Sequence, residues 1–230
     1  MARRTKRRTL HDFAFMAERI VAMERNAGFS QSELVEILPR LGAEVLCLKK
    51  NEVIVHQGES ARRIGMVVEG NLQASICGND GERIVMRAVR PGEFVGLSLL
   101  SQKNPVYPCD VMAFPSCTVF AYDAEAVREW RNEPKSEPFF RMLEEQLGRS
   151  LVVAWQKAAI VSQSTIAGRV MAYLSIRRAE EGTTDIRLPG TVDDFADFLA
   201  CNRSALSRVM SQLKAEGRIR VSHGVVSMLK

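Results

Sequence analysis

Residues 191–224 read TVDDFADFLACNRSALSRVMSQLKAEGRIRVSHG, and this stretch decides the architecture of the C-terminal quarter. Thr191 followed three residues later by Asp194 is a capping-box pattern: the hydroxyl accepts from a backbone N–H and the carboxylate reaches back. It opens a short helix whose Phe195, Phe198 and Leu199 form one apolar edge. Ala200-Cys201-Asn202 is a tight break, and Asn202 is suited to cap the next helix. From Arg203 to about Glu216, Leu206, Val209, Met210 and Leu213 recur at i, i+3, i+4 and i+7, the buried stripe of an amphipathic helix. The opposite face carries Arg203, Ser204, Ser207, Arg208 and Ser211. Arginine can fork onto O6 and N7 of guanine, and serine is short enough to let backbone and base edges approach. Gly217 stops the helix. Arg218 to Val221 and Val225 to Leu229 then read as two strands around Ser222-His223-Gly224, a wing with basic residues at its root. The helix alone could be an ordinary one with a solvated polar face. The whole succession of cap, helix, three-residue turn, Arg/Ser helix, glycine stop and basic hairpin reads as a winged helix-turn-helix that binds double-stranded DNA.

Upstream, from Pro138 to about Ser162, there is no further proline and one glycine, Gly148. Phe140, Leu143, Leu147, Leu151, Ala154, Ala158 and Val161 recur at spacings of three and four, a heptad-like seam about three heptads long. The stripe could pack on its own barrel. A helix of this length cannot hide Leu147, Leu151, Val152, Val153, Trp155 and Ile160 on one small domain, so a second copy of the chain is expected to cover part of it. Thr165 or Ser164 caps a further helix that closes at Glu181-Gly182, and Ser162-Gln163-Ser164 is the expected hinge between the two.

From Val45 to about Tyr122 the apolar period is two, as in Ile64/Met66/Val68, Leu72/Ala74/Ile76 and Ile84/Met86/Ala88. Turn signals at Gln57-Gly58-Glu59, Glu69-Gly70-Asn71, Gly78 to Gly81 and Pro91-Gly92-Glu93 separate the runs, which predicts an antiparallel barrel or sandwich. Before it, Phe13, Ala17, Ile20 and Val21 mark one amphipathic helix, and Ser30-x-x-Glu33 opens a second that stops around Pro39.

Composition sets the outer limits. Of 230 residues, 46% are hydrophobic and 26% charged, ordinary for a globular protein, and no apolar run approaches the roughly 20 residues needed to cross a bilayer. The basic N-terminus lacks the apolar segment of a secretory signal, so a cytoplasmic protein with no membrane partner is expected. The net charge of +5 is concentrated in two places: Arg3, Arg4, Lys6, Arg7 and Arg8, and the segment from Arg203 to Arg220, whose five basic residues face one Glu216. That distribution suits a polyanion; the first cluster is either a solvated tail or an arm touching phosphate. The five cysteines have neither zinc nor disulfide spacing and read as inert thiols, with redox sensing by Cys109 and Cys117 the alternative.

Several short motifs, in order, give the chain a resemblance to the CRP/FNR superfamily of bacterial regulators, over nearly all of its length after about residue 35. They are Val55-His56-Gln57-Gly58-Glu59, Val67-Val68-Glu69-Gly70, Arg90-Pro91-Gly92-Glu93-Phe94-Val95-Gly96, Ala167-Gly168-Arg169-Val170, and the run from Phe198 to Arg208. The resemblance implies an α+β fold: a cupin-like antiparallel β-roll (a double-stranded β-helix), a long dimerisation helix and a C-terminal winged helix-turn-helix. The boundaries expected are 1–38 for the basic tail and N-terminal helices, 39–133 for an effector-sensing roll, 134–162 for the dimerisation helix and 163–230 for the DNA-binding domain. Carried over by position, Arg203, Ser204 and Arg208, with Ser207 beside them, read base edges, while Thr191 and Asn202 touch phosphate. Where the cAMP receptors have Glu at the second base-reading position this chain has Ser204, which removes a carboxylate acceptor for cytosine N4.

The sensor departs further from the cyclic-nucleotide pattern. Leu97-Ser98 follows Gly96 where those members place Glu, and Tyr107-Pro108-Cys109 occupies the stretch of their Arg-Ser pair. No cation is offered there to a phosphate, and Ala154-Trp155 replaces the polar pair that meets adenine, so cAMP is not expected. Gly96, Leu97, Ser98, Cys109 and Trp155 are the candidates for a pocket holding a different small-molecule effector; Trp155 could equally be interface packing. Neither metal nor an iron–sulfur cluster is expected, the first cysteine being Cys47, and His56 is read as an ordinary strand-turn histidine rather than a haem ligand. The partners implied are an operator in duplex DNA, a second copy of the chain and RNA polymerase. A cupin-type enzyme is the less favoured alternative, because one histidine between Val45 and Tyr122 is too few for a metal site. A ligand-binding module acting through a protein partner is the other.

Overall fold

The computed structural model describes residues 10–23, 28–60, 62–78, 83–101, 106–222 and 224–229. The chain divides into two compact units, residues 1–74 with 88–149, and residues 75–87 with 150–230. The basic cluster at Arg3 to Arg8, and His223 in the wing, lie outside the described residues.

In the first unit, α1 (Leu10–Val21) and α2 (Gln31–Arg40) precede the strands, of which residues 75–87 are grouped with the second unit. The capping box at Ser30 forms as its sequence implies: Glu33 N donates to Ser30 Oγ over 3.3 Å and Ser30 N to Glu33 Oε2 over 2.9 Å. Eight strands come next, β1 (Glu44–Leu48), β2 (Val53–Val55), β3 (Arg63–Glu69), β4 (Leu72–Cys77), β5 (Arg83–Val89), β6 (Phe94–Val95), β7 (Asp110–Ala113) and β8 (Cys117–Asp123). They form two four-stranded sheets, ordered β1-β8-β3-β6 and β2-β7-β4-β5. Antiparallel registers such as Val45↔Phe120 and Gly65↔Ala121 make the expected β-roll.

Two of these strands are buried on both faces. Ile64, Met66 and Val68 of β3, with Phe120 and Tyr122 of β8, pack in one core with Met16, Ala17 and Leu38 of the N-terminal helices. Val67, Cys117 and Val119 point the other way, into the roll interior with Leu48, Val55, Leu72, Val89 and Val111. Burial pushes the Cys117 thiol up to about 11, so it stays protonated and unreactive near neutral pH. The roll is closed by α3 (Ala124–Trp130), absent from the sequence expectation, whose start is capped by Asp123 accepting from Glu125 N and Ala126 N at 3.0 Å each.

The long helix, α4 (Glu137–Val161), changes role along its length. Phe139, Phe140 and Leu143 join the first core, where Phe139 lies 5.3 Å and Phe140 6.4 Å from the Trp130 ring. One turn on, buried Gln146 accepts from Phe94 N at 2.8 Å and donates to Gly92 O at 2.6 Å, so its amide satisfies the turn leading into β6.

The second unit contains α5 (Ile166–Glu181), β9 (Asp185–Arg187), α6 (Val192–Phe198), α7 (Arg203–Ala215), β10 (Ile219–Ser222) and β11 (Val225–Met228). Val170, Tyr173, Leu174, Phe195, Leu199, Leu206, Leu213, Ile219 and Val226 form its core with Ile160 from the end of α4. The wing has three strands, ordered β10-β11-β9, rather than the two of the hairpin reading. β9 supplies a single buried side chain, Ile186, too little to register as a period.

Gly70 illustrates how tightly the roll closes. Its φ is +73°, and a Cβ there would sit 2.1 Å from the carbonyl oxygen of Ser116. Both the left-handed backbone and the contact penalise a side chain, so Gly70→Ala should destabilise the first unit by about 2–4 kcal/mol. Urea unfolding followed by circular dichroism checks this; a loss under about 0.5 kcal/mol would contradict it.

Candidate nucleic-acid interface

The site is built on α6, the turn after it, and α7. Thr191 caps α6: Asp194 N donates to its hydroxyl at 3.2 Å, while Thr191 N donates to Asp194 Oδ2 at 2.7 Å, completing the box. Asn202 caps α7, its Oδ1 accepting from Ala205 N at 2.8 Å and from the Ser204 hydroxyl at 3.0 Å. Leu206 and Leu213 are buried in the core of the unit, and Val209 and Met210 pack against it. That fixes the roll of the helix about its axis.

With one face sealed, the other must face outward. Thr191, Asn202, Arg203, Ser204, Ser207 and Arg208 are all exposed. Arg203 Nη1 lies 3.0 Å from Asp193 Oδ2 on the first turn of α6, while Arg208 has no ion-pair partner among the described residues. Ser211 turns its hydroxyl back to the Ser207 carbonyl at 3.0 Å; Arg203, Ser204, Ser207 and Arg208 share the exposed face, the first two already engaged with Asp193 and Asn202. Arg218 and Arg220 add positive charge at the wing, both exposed. A protruding helix carrying guanidinium and hydroxyl groups, with a basic wing beside it, has the shape and chemistry for a major groove.

The model of the Crp-like helix-turn-helix domain matches residues 168–229, and that of the cyclic nucleotide-binding domain matches residues 45–133. The chain belongs to the CRP/FNR superfamily. It is a DNA-binding transcription regulator of that type, with an effector-binding domain ahead of the helix-turn-helix. Among curated relatives, the transcriptional regulator SdrP of Thermus thermophilus is 25% identical over 198 residues, 81% of this chain and 90% of that protein. The nitrogen fixation regulation protein FixK of Bradyrhizobium diazoefficiens is 27% identical over 168 residues, 71% of this chain and 68% of that protein. The fold is shared with the c-di-GMP responsive global regulator CLP of Xanthomonas campestris, at a TM-score of 0.67, 17% identity, and coverage of 85% of this chain and 99% of that one.

Within this CRP/FNR chain the expected effector residues fall in different places. Gly96, Leu97, Ser98 and Cys109 lie in the first unit. Gly96 has φ +82°, and a Cβ on it would meet the Tyr107 hydroxyl at 2.4 Å, so the phenol stands where the glycine leaves room. Tyr107 is buried, and burial followed by the nearby Cys109 raises its pKa, which keeps it neutral. Leu97 opens a short 3-10 turn and packs into the core with the N-terminal helices. Trp155 belongs to the second unit, 69% exposed on α4. Of the residues assigned to the dimer seam, Phe140 and Leu143 are buried in the chain's own core, whereas Leu147, Leu151, Ala154 and Ala158 are exposed and Val161 is half-buried. Among the described residues, no group of three or more His, Cys, Asp or Glu could hold a metal, and no helix is long and apolar enough to cross a membrane.

Two cations that serve the α6–α7 turn escape a reading of the sequence. Arg169 Nη1 donates to the carbonyls of Leu199 at 3.0 Å and Ala200 at 2.9 Å, and Lys157 donates to that of Phe198. In the sequence the Arg169 motif marks only a helix start, because nothing in spacing tells which carbonyls a guanidinium will reach.

Asn202→Ala should lower stability by about 1 kcal/mol, the usual effect of losing an N-cap. A thermal or urea transition unchanged from wild type would show that the cap contributes nothing.

Proposed function

We propose that the protein works as a homodimer that places two copies of α7 in successive major grooves about 34 Å apart. Arg203, Ser204, Ser207 and Arg208 contact base edges, and Thr191 and Asn202 contact phosphate. The observation that carries this reading is the fixed rotation of α7: its Leu206 and Leu213 are sealed in the core, so Arg203, paired with Asp193, and Arg208 are turned to the exposed face. The dimer reading is supported by the far half of α4, where Leu151 is 58% exposed, Val152 55% and Trp155 69%, more contiguous apolar surface than a lone protomer keeps in water.

The effector is a small molecule that presents no phosphate to the segment around Gly96. There the residue that meets the glycine is a neutral, buried phenol, which offers an anion no compensating charge. Cyclic AMP is therefore the wrong ligand. Binding shifts the population of helix arrangements, with rotation at Ser162–Ser164 setting the spacing of the two reading helices. The setting is the cytoplasm, the further partner is RNA polymerase, and the protein regulates without catalysing a reaction.

Selection of bound duplexes from a random pool should return a two-fold symmetric site. Arg208→Ala should then cost about 1–3 kcal/mol and relax preference at one base pair per half-site. Equal affinity and unchanged preference would refute the assignment. Leu151→Glu should split the dimer, read by sedimentation equilibrium, and lower specific DNA affinity at least about tenfold. A dimer that survives this change would place the interface elsewhere.

A further inference from the structure

Two helices each send a cation to one short turn. Lys157 of α4 is only 3% exposed; its ammonium donates to the Phe198 carbonyl and sits 4.1 Å over the Phe198 ring. Arg169 of α5 takes the next two carbonyls, Leu199 and Ala200, while its Nε donates to Gln163 O at 3.1 Å in the segment joining α4 to α5. Three consecutive carbonyls at the end of α6, which have no partner inside the helix, are thus met by positive charge. The turn needs the help. Ala200 has φ +51°, a left-handed conformation that a residue with a Cβ adopts reluctantly. Two residues later Asn202 caps α7, and Arg203 and Ser204 project from its first turn.

We propose that Lys157 is a positioning residue: its charged ammonium ties the α6–α7 turn to the long helix, so that a movement of α4 is handed directly to the helix that reads DNA. The proposal rests on the reading of α7 given above and adds the element that controls it. A surface lysine would not serve, because its ammonium would be solvated and its tether loose. Here the ammonium is inside, and the groups that face it are Arg169 from α5 and Cys201 from the turn. Burial, then the Arg169 charge, lowers its pKa to about 8, with Cys201 opposing.

That position gives the coupling a signature. The charge is held at neutral pH and lost as pH rises through about 8. The ordinary 10.5 returns when the turn opens and the side chain reaches water, so opening takes up a proton between about 8 and 10.5 and is disfavoured as pH rises through that window. The same linkage makes this group's contribution to stability rise across it. A lysine that stays solvated would show no such dependence.

The test compares full-length wild type, Lys157→Arg and Lys157→Met on the duplex selected for wild type, at fixed salt. Lys157→Arg, which keeps a charged donor, should bind within about threefold of wild type near pH 7. Lys157→Met should bind at least about tenfold more weakly there. Wild-type affinity in Lys157→Met would overturn the proposal. If Lys157→Met does not fold, hydrogen exchange decides alone. Amide hydrogen exchange at residues 199–202 gives a readout free of DNA: wild type should exchange at least about fivefold more slowly there, relative to Lys157→Arg, at pH 9 than at pH 7. An unchanged ratio would overturn the proposal even if the protein selects no DNA sequence, a result that by itself would sink only the reading of α7.

Discussion

Leu206 and Leu213 fix the second unit. By entering the same core as Val170, Phe195 and Leu199 they fix the rotation of α7 about its axis. A helix that buries one stripe exposes the opposite one, and here the opposite one holds Arg203 and Arg208. The candidate DNA-binding surface is therefore a consequence of apolar packing beneath it. The two caps, Thr191 and Asn202, end the disorder that would otherwise blur the first turn of each helix.

The long helix changes environment midway. Up to Leu143 its apolar side chains fall into an aromatic cluster with Trp130, and Gln146 locks the next turn to the backbone at Gly92 and Phe94. Beyond that point Leu147, Leu151, Val152, Val153 and Trp155 meet solvent, before Ile160 enters the core of the second unit. One uninterrupted helical pattern thus serves two purposes, and the switch lies between positions that look equivalent in the pattern.

One core of the roll gathers Val, Leu and Ala side chains with Cys117 and the Tyr107 ring, and the glycine that bends the chain at 96 is met by a phenol. In a relative that binds a charged ligand, the free energy of taking that ligand out of water has to be offset by fixed charges nearby. Here the group that meets Gly96 is a neutral, buried phenol.

The amino-acid order alone was enough for the caps at Ser30, Thr191 and Asn202, the amphipathic stripe of α7, the alternation of the strands and the length of α4, because each depends on residues within a few positions of one another. It did not reveal β9, with one buried side chain, or α3, whose pattern is only two turns long. It could not divide the α4 stripe between Phe140 and Leu143, which are buried, and Leu147 and Leu151, which are exposed, since periodicity says which side chains share a face and not what lies opposite. Nor could it say that Lys157 and Arg169 converge on the carbonyls of Phe198 to Ala200. Those contacts span about 30 to 40 positions and exist only once three helices have packed, because a buried cation is tolerated where tertiary structure brings it an acceptor, and nowhere else.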